Sequence, residues 1–355
     1  MGYKSMRLRK YFDVIRTNRP FLIAPLKQKI KILYNILKYW KNCLKKLSII
    51  SNKPVVAQIE STSLCNLRCE MCIRDKMGVP IGAMTFENFK KILNKLDSLF
   101  KIHLSGQGEP FLNKELFKMI NYANKKGIIV NLNTNATLFT EEIIREICKV
   151  DIGEIAISIE STRKEEYEKI RKGAKFGKVM MGVKKLNSAL EKNKKKTIVS
   201  FAVTILKENI DELSEFVRFA SSLGIKKIIS QTIQEKEDYI KKYDSKIRKN
   251  LISNYKEKLK EKIREAKRLA KEKSIEFIFD EEKSLGCIWP WRSIYITWNG
   301  NVTVCCKILD YKKYGMGNLL KENFWEIWNG KKYQIFREVL RERKAPLACR
   351  GCSMV

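Results

Sequence analysis

Cys65-Asn-Leu-Arg-Cys69-Glu-Met-Cys72 places three thiols in eight residues, directly behind the apolar run Pro54 to Ile59. A short apolar run of this kind reads as a buried strand, so the cysteines leave its C-terminal end on a loop. Soft thiolates suit iron–sulfur clusters, and three of them hold three irons of a 4Fe-4S cube. The remaining iron is then open to something other than protein. Zinc sites close with four ligands, commonly as two cysteine or histidine pairs. No fourth ligand stands beside these three. Disulfide bonding is disfavoured, because no apolar signal segment precedes them and clustered cysteines then read as metal-binding or catalytic.

Outward from the cysteines, residues 54 to about 231 alternate strand and helix. Strand patterns fall at 54–60, 100–105, 128–133, 153–159, 197–204 and 225–230. Helical patterns fill the intervals, at Phe86 to Leu99, Glu115 to Lys126, Glu141 to Lys149 and Asp211 to Leu223. Such alternation means parallel strands with helical crossovers. In parallel barrels, ligands gather at the C-terminal ends of the strands. Polar motifs occur at those ends. They are Ser105-Gly-Gln-Gly-Glu109-Pro110, then Asn133-Thr134-Asn135, then Ile157-Ser158-Ile159-Glu160, and downstream Tyr167-Glu-Lys-Ile-Arg171-Lys-Gly173.

The C-x3-C-x2-C spacing and these motifs resemble those of the radical S-adenosylmethionine (radical SAM) enzymes. The resemblance implies α/β architecture, with a partial (β/α)6 TIM-like barrel over 54–235. It implies that Cys65, Cys69 and Cys72 hold a 4Fe-4S cluster whose open iron chelates SAM. It further implies that Gly106, Gly108 and Glu109 lie against the methionyl group, with Asn133, Ser158, Glu160 and Arg171 as further SAM contacts. Three departures stand in the chain: Gln107 interrupts the family's Gly-Gly-Glu-Pro, Glu160 replaces the usual aspartate, and Met71 replaces the usual aromatic.

A second cysteine pattern closes the chain. Cys287 precedes Trp-Pro-Trp and a strand, Trp298-Asn-Gly-Asn301 reads as a hairpin turn, and Cys305, Cys306, Cys349 and Cys352 follow. The spacing of Cys287, Cys305, Cys349 and Cys352, with Gly317-Asn318 and the Phe324 to Trp328 helix, resembles the SPASM/twitch auxiliary domain. The resemblance implies that these four hold a second 4Fe-4S cluster in a small α+β domain over 286–355; Cys306 is the alternative to Cys305. Zinc on the same four cysteines is the other reading, since a hairpin with a CxxC also describes zinc ribbons. Residues 236–285 read as a linker and one long charged helix with the stripe Ile247, Leu251, Tyr255, Leu259, Ile263 and Ala266. His103, the only histidine, lies inside a strand and reads as structural; Cys43 and Cys148 read as packing residues.

At 355 residues with 44% apolar content the chain can bury a large core. Its net charge of +33 predicts attraction to anions. The first 59 residues carry fourteen Lys or Arg and one acid, Asp13. Within this basic segment, set at 1–53, Ile30, Leu33, Leu37, Trp40, Leu44 and Leu47 fall on one helical stripe. An amphipathic helix of this kind lies in a membrane interface, through residues 27–48, docks on the body of the protein or on a second subunit, or meets nucleic acid. Lysine interrupts every apolar run well short of about 18 residues, which excludes a membrane span. The expected function is reductive cleavage of SAM to a 5′-deoxyadenosyl radical and hydrogen abstraction from a small-molecule, lipid-linked or glycan-type substrate. The auxiliary cluster would accept an electron, and a ferredoxin- or flavodoxin-type protein would donate one. The alternative is a maturase of a ribosomally made peptide; a metal-binding nucleic-acid protein is the disfavoured third. The expected location is the cytoplasm, either free or peripheral at the inner face of the membrane.

Overall fold

The computed structural model describes residues 19–249, 251–279 and 286–355. A short helix α1 (Arg19–Ile23) and a long helix α2 (Leu26–Lys45) precede strand β1 (Val56–Ile59). Then follow α3 (Phe86–Lys95), β2 (Lys101–His103), α4 (Leu116–Lys125), β3 (Ile129–Thr134), α5 (Glu141–Lys149) and β4 (Glu154–Ser158). Next come α6 (Lys164–Ile170), α7 (Phe176–Lys192), β5 (Ile198–Ile205), α8 (Leu213–Ser222) and β6 (Lys227–Thr232). Each crossover helix presents an apolar face inward, as Phe89, Ile92 and Leu93 do on α3. Two begin at a side-chain cap: Thr85 accepts from the Asn88 N–H and Thr140 from the Ile143 N–H.

Strands β1 to β6 pair in parallel and in chain order, as the alternation predicts. Beyond them lie α9 (Lys256–Glu272) and β7 (Glu276–Phe279). β7 was not expected; it adds parallel to β6. The single long helix expected over 247–266 is broken. A short helix (Ser245–Lys249) and a 3-10 turn (Ile252–Tyr255) precede α9, with Leu251 extended between them. Glu235 explains part of the break, because its carboxylate takes the Ser253 N–H at 3.0 Å.

On the other side of β1 the sheet continues through β8 (Ser293–Ile296), β9 (Asn301–Thr303) and β10 (Gly317–Asn318). β8 runs parallel to β1, with Val56 opposite Ser293 and Ile59 opposite Ile296. β8 and β9 form the expected hairpin, with Gly300 at φ +84° in the turn. Helices α10 (Phe324–Trp328) and α11 (Lys331–Arg341) pack behind it. The strand order ends at β7 and β10 and does not close, so the architecture is an open partial barrel.

α2 lies across the N-terminal ends of the first strands. Asn35 donates to the Lys53 carbonyl at 3.0 Å and Gln28 to the Asp97 carbonyl at 2.9 Å, both just ahead of β1 and β2. Its buried face is Ile32, Asn35, Ile36, Tyr39 and Asn42. The stripe singled out in the sequence faces outward: Ile30, Leu33, Leu37, Leu44 and Leu47 are exposed. Asparagines can form the buried face because their amides reach backbone carbonyls and the Asn52 side chain. The segment after α2 is tied to the last helices. Trp328 Nε1 donates to the Asn52 carbonyl at 2.8 Å, and the buried Arg337 reaches the Ser48 and Pro290 carbonyls.

Candidate active site

The loop from β1 carries Cys65, Cys69 and Cys72, all partly buried and none in a disulfide. Its backbone is pinned on two sides. The Arg68 and Glu70 N–H groups donate to the Lys172 and Ile170 carbonyls at 3.0 and 2.9 Å, and the Glu109 N–H donates to the Leu64 carbonyl at 2.7 Å. Gly108 is required by this last contact, because a Cβ there would stand 2.2 Å from the Leu64 oxygen. Gly106 is required for another reason: a Cβ would strike the Glu60 side chain at 2.4 Å.

Two N–H donors face the sulfurs. Asn135 Nδ2 lies 4.0 Å from Cys65 Sγ, and Arg171 Nη1 lies 3.9 Å from Cys69 Sγ. Burial pushes the Cys69 thiol up to about 12, while Arg171 pulls it down and the neighbouring Glu160, Cys72 and Cys65 raise it. An environment so hostile to a bare thiolate, yet supplied with a guanidinium and an amide, fits sulfurs whose charge is shared with bound iron. Among the described residues no three Cys, His, Asp or Glu side chains gather closely enough for a single metal ion. A cube seats a separate iron on each thiolate, so its ligands stand further apart than those closing on one zinc.

The expected SAM contacts separate into two groups. Asn133 and Ser158 line a cavity of about 180 Å³ inside the barrel, with His103, Asn131, Thr204 and Gln231. None of the cysteines lines it. His103 is held neutral, its pKa lowered to about 3 by burial and by Lys101. Glu109, Glu160 and Arg171 are instead buried. Glu109 accepts from Thr134 Oγ1 and from the Asn135 N–H, each at 2.7 Å, and burial raises its pKa to about 7. Glu160 and Arg171 form a buried ion pair, with Nη2 to Oε1 at 2.9 Å. The guanidinium thus bridges Glu160 and Cys69 within the protein.

The second set is assembled from distant segments. The thiols of Cys305, Cys287 and Cys352 all act on Cys349, which burial raises well above its ordinary range. The short loop after β6 supplies the surroundings: the Glu237 N–H donates to the Arg350 carbonyl and buried Lys236 reaches the Lys307 carbonyl at 2.6 Å. Burial raises the Cys305 thiol above its ordinary value, against the opposing pull of the Lys307 backbone N–H and the Lys236 and Lys307 charges. Lys307 Nζ is buried without a hydrogen-bond partner. An orphaned ammonium beside thiols fits an anionic cluster at this position.

Sequence reasoning missed three residues here. Glu60, fully buried at the end of β1, accepts from the N–H groups of Gln107 at 2.8 Å and Trp298 at 3.3 Å, and so joins β1, the glycine loop and the hairpin. Tyr239 and Tyr243, also buried, stand between the two sets: Cys305 and Cys306 act on the first, Cys72 on the second. A lone acid and two tyrosines in a charged stretch carry no spacing that marks them.

Comparison with known proteins bears directly on this arrangement. The radical SAM superfamily profile matches residues 59–220, and the SPASM iron–sulfur cluster-binding domain matches 287–353. The chain belongs to the radical SAM superfamily. As a radical SAM enzyme with a SPASM domain, it uses 4Fe-4S clusters and SAM as cofactors. It is similar to the tungsten-containing aldehyde ferredoxin oxidoreductase cofactor-modifying protein of Pyrococcus furiosus. The two are 26% identical over 322 residues, covering 83% of this chain and 86% of the relative. It is similar to the antilisterial bacteriocin subtilosin biosynthesis protein AlbA of Bacillus subtilis, 24% identical over 315 residues, covering 84% and 67%. Streptococcus suis SuiB, solved with its precursor peptide SuiA, shares the fold of this radical SAM enzyme at a TM-score of 0.65 and 16% identity, over 86% and 71% of the two chains.

Proposed function

We propose that this radical SAM enzyme is a maturase that abstracts a hydrogen atom from a peptide or protein substrate. The observation that carries the chemistry is the pinned three-cysteine loop at the end of β1, faced by Asn135 and Arg171. The substrate class is supported by the likeness to AlbA, a bacteriocin biosynthesis protein, across most of this chain. A cluster on the first cysteine set would supply the electron for reductive cleavage of SAM, and one on the second set would take up the electron that a substrate radical loses as it is oxidised.

The chain's own residues hold, orient and shield. Cys65, Cys69 and Cys72 would hold the first cluster, and Cys287, Cys305, Cys349 and Cys352 the second. Asn135 and Arg171 donate towards sulfur and so tune its charge. Glu109 fixes the end of β3, presenting Asn133 beside Ser158 at the cavity where SAM and substrate would meet. Gly106 and Gly108 let the 105–109 loop close onto Glu60 and Leu64. An external ferredoxin- or flavodoxin-type donor supplies the electron.

A lipid-linked or glycan substrate has less support. The basic N-terminal segment would favour an anionic, membrane-held substrate, yet α2 lies across the N-terminal ends of the strands, at the opposite end from the three-cysteine loop. The deciding experiment is anaerobic reconstitution followed by incubation with SAM and a strong reductant. 5′-Deoxyadenosine is expected, and its absence from iron-loaded protein sinks the enzymatic reading. Turnover of a synthetic peptide library, read as loss of two hydrogens by mass, supports the peptide class; turnover of a polyprenyl-linked sugar alone overturns it.

A further inference from the structure

We propose that the outward face of α2 is a docking surface for an anionic lipid bilayer, whatever the substrate. Two faces of this helix are apolar, and only one is used by the fold. Ile32, Ile36 and Tyr39 are buried against the body. Leu26, Ile30, Leu37 and Leu44 are 72, 58, 65 and 57% exposed, and follow one another at intervals of four, seven and seven, one stripe along the helix. Leu22 and Ile23 on α1 are exposed as well.

Lysines repeat the same rhythm one residue on, at Lys27, Lys31, Lys38 and Lys45, and therefore form a row along one edge of the stripe. Lys31 is engaged with Asp97, and Lys38 lies over the Tyr34 ring with no carboxylate partner among the described residues, so Lys27, Lys38 and Lys45 are the lysines of this row that an outside anion would meet. No acid occurs between Asp13 and Glu60. An aliphatic stripe beside a lysine row is the pattern of a helix lying in a membrane interface, with lysine stems on the apolar boundary and ammonium groups among phosphates.

Other occupants fit less well. A second copy seated on this face would bring like lysine rows together with no acid to pair them, which costs energy. Residues 1–18 carry five basic groups and one acid, so their charge repels the same row. A protein partner favours Trp, Tyr and Arg at the centre of an interface and disfavours Lys; every cation on α2 is lysine. No helix among the described residues is long and apolar enough to cross a membrane, so the contact is with the surface.

The test uses the full chain and vesicles of phosphatidylcholine with or without phosphatidylglycerol, read by flotation. The parent is expected to float with the anionic vesicles at low salt and to be released between about 0.05 and 0.5 M salt, as the screening length shortens. Each lysine at an anionic surface is worth about fivefold in binding, so Lys27→Gln, Lys38→Gln and Lys45→Gln together lower it by about a hundredfold. Ile30→Ser, Leu37→Ser and Leu44→Ser together abolish flotation while iron content and 5′-deoxyadenosine formation stay at the parent level. Ile335→Ser, on an exposed residue elsewhere, leaves flotation unchanged. Failure of the parent to float, or equal flotation of the triple variants, overturns the proposal. So does a parent dimer that the serine variant converts to monomer, since the face is then covered by a second copy.

Discussion

Cys65, Cys69 and Cys72 sit together on a single loop, pinned from outside by the backbone of Glu109, Ile170 and Lys172, whereas Cys287, Cys305, Cys349 and Cys352 come from separate segments of the C-terminal region. The first set is ringed by neutral and paired groups, with Arg171 matched by Glu160. The second faces Lys236 and Lys307, the latter with no partner in the protein. A site that keeps an open iron can be local, because its chemistry comes from what it binds. On the proposed assignment, a site closed by four thiolates draws its environment from the fold.

The strongest way to break this contrast is to remove the first set. Cys65→Ala, Cys69→Ala and Cys72→Ala together should leave about four of about eight irons and abolish 5′-deoxyadenosine formation. Retained cleavage of SAM would transfer the active role to the second set. The next test separates adjacent thiols: Cys305→Ala should lose about four irons and Cys306→Ala none. Equal losses would mean that the surroundings of Cys305 do not select it. Third, Arg171→Ala leaves Glu160 buried without its cation, and breaking such a pair costs about 3–5 kcal/mol in denaturant stability. Arg171→Lys should recover only part of this, since one ammonium cannot reproduce two N–H···O bonds. A loss below about 1 kcal/mol would show the pair to be less buried in solution than its exposure indicates.

The smallest effect concerns the barrel interior. His103 is neutral when folded, with a pKa near 3 instead of its ordinary value. The unfolded chain then binds a proton that the folded chain does not, so stability falls as pH drops below about 6.5. The contribution is at most about 1.4 kcal/mol per pH unit. His103→Gln should flatten that share of the slope between about pH 6.5 and 5, measured by thermal melts of the iron-loaded protein. An unchanged slope would mean the imidazole is solvated.

Much of this molecule was legible in the order of its residues. Strands β1 to β6 and the hairpin of β8 and β9 announce themselves by apolar runs and by Asn299-Gly300. The three-cysteine loop carries its own spacing. What was not legible depends on contacts that no local pattern encodes. Asn35 and Asn42 look like a solvent face until backbone carbonyls are placed opposite them, so the stripe of α2 was found and its orientation was not. β7 is four residues, Glu-Phe-Ile-Phe, behind a charged helix, and is a strand because β6 offers it an edge. Glu60 is an ordinary acid until the Gln107 and Trp298 amides converge on it.

The pairing of β8 with β1 also sets a clock. Val56 must find Ser293, so one edge of the first barrel strand stays unpaired until nearly the whole chain has been made. At ordinary rates of synthesis that interval is on the order of ten seconds or more. An unpaired edge is a template for aggregation, and pairings between residues so remote in sequence form slowly. During the same interval the segment that follows the three-cysteine loop lacks its contact with the C-terminal hairpin, whose Trp298 donates to the Pro80 carbonyl at 3.0 Å. The wait that exposes the edge therefore also leaves the 80–82 segment without its anchor until the hairpin has been made.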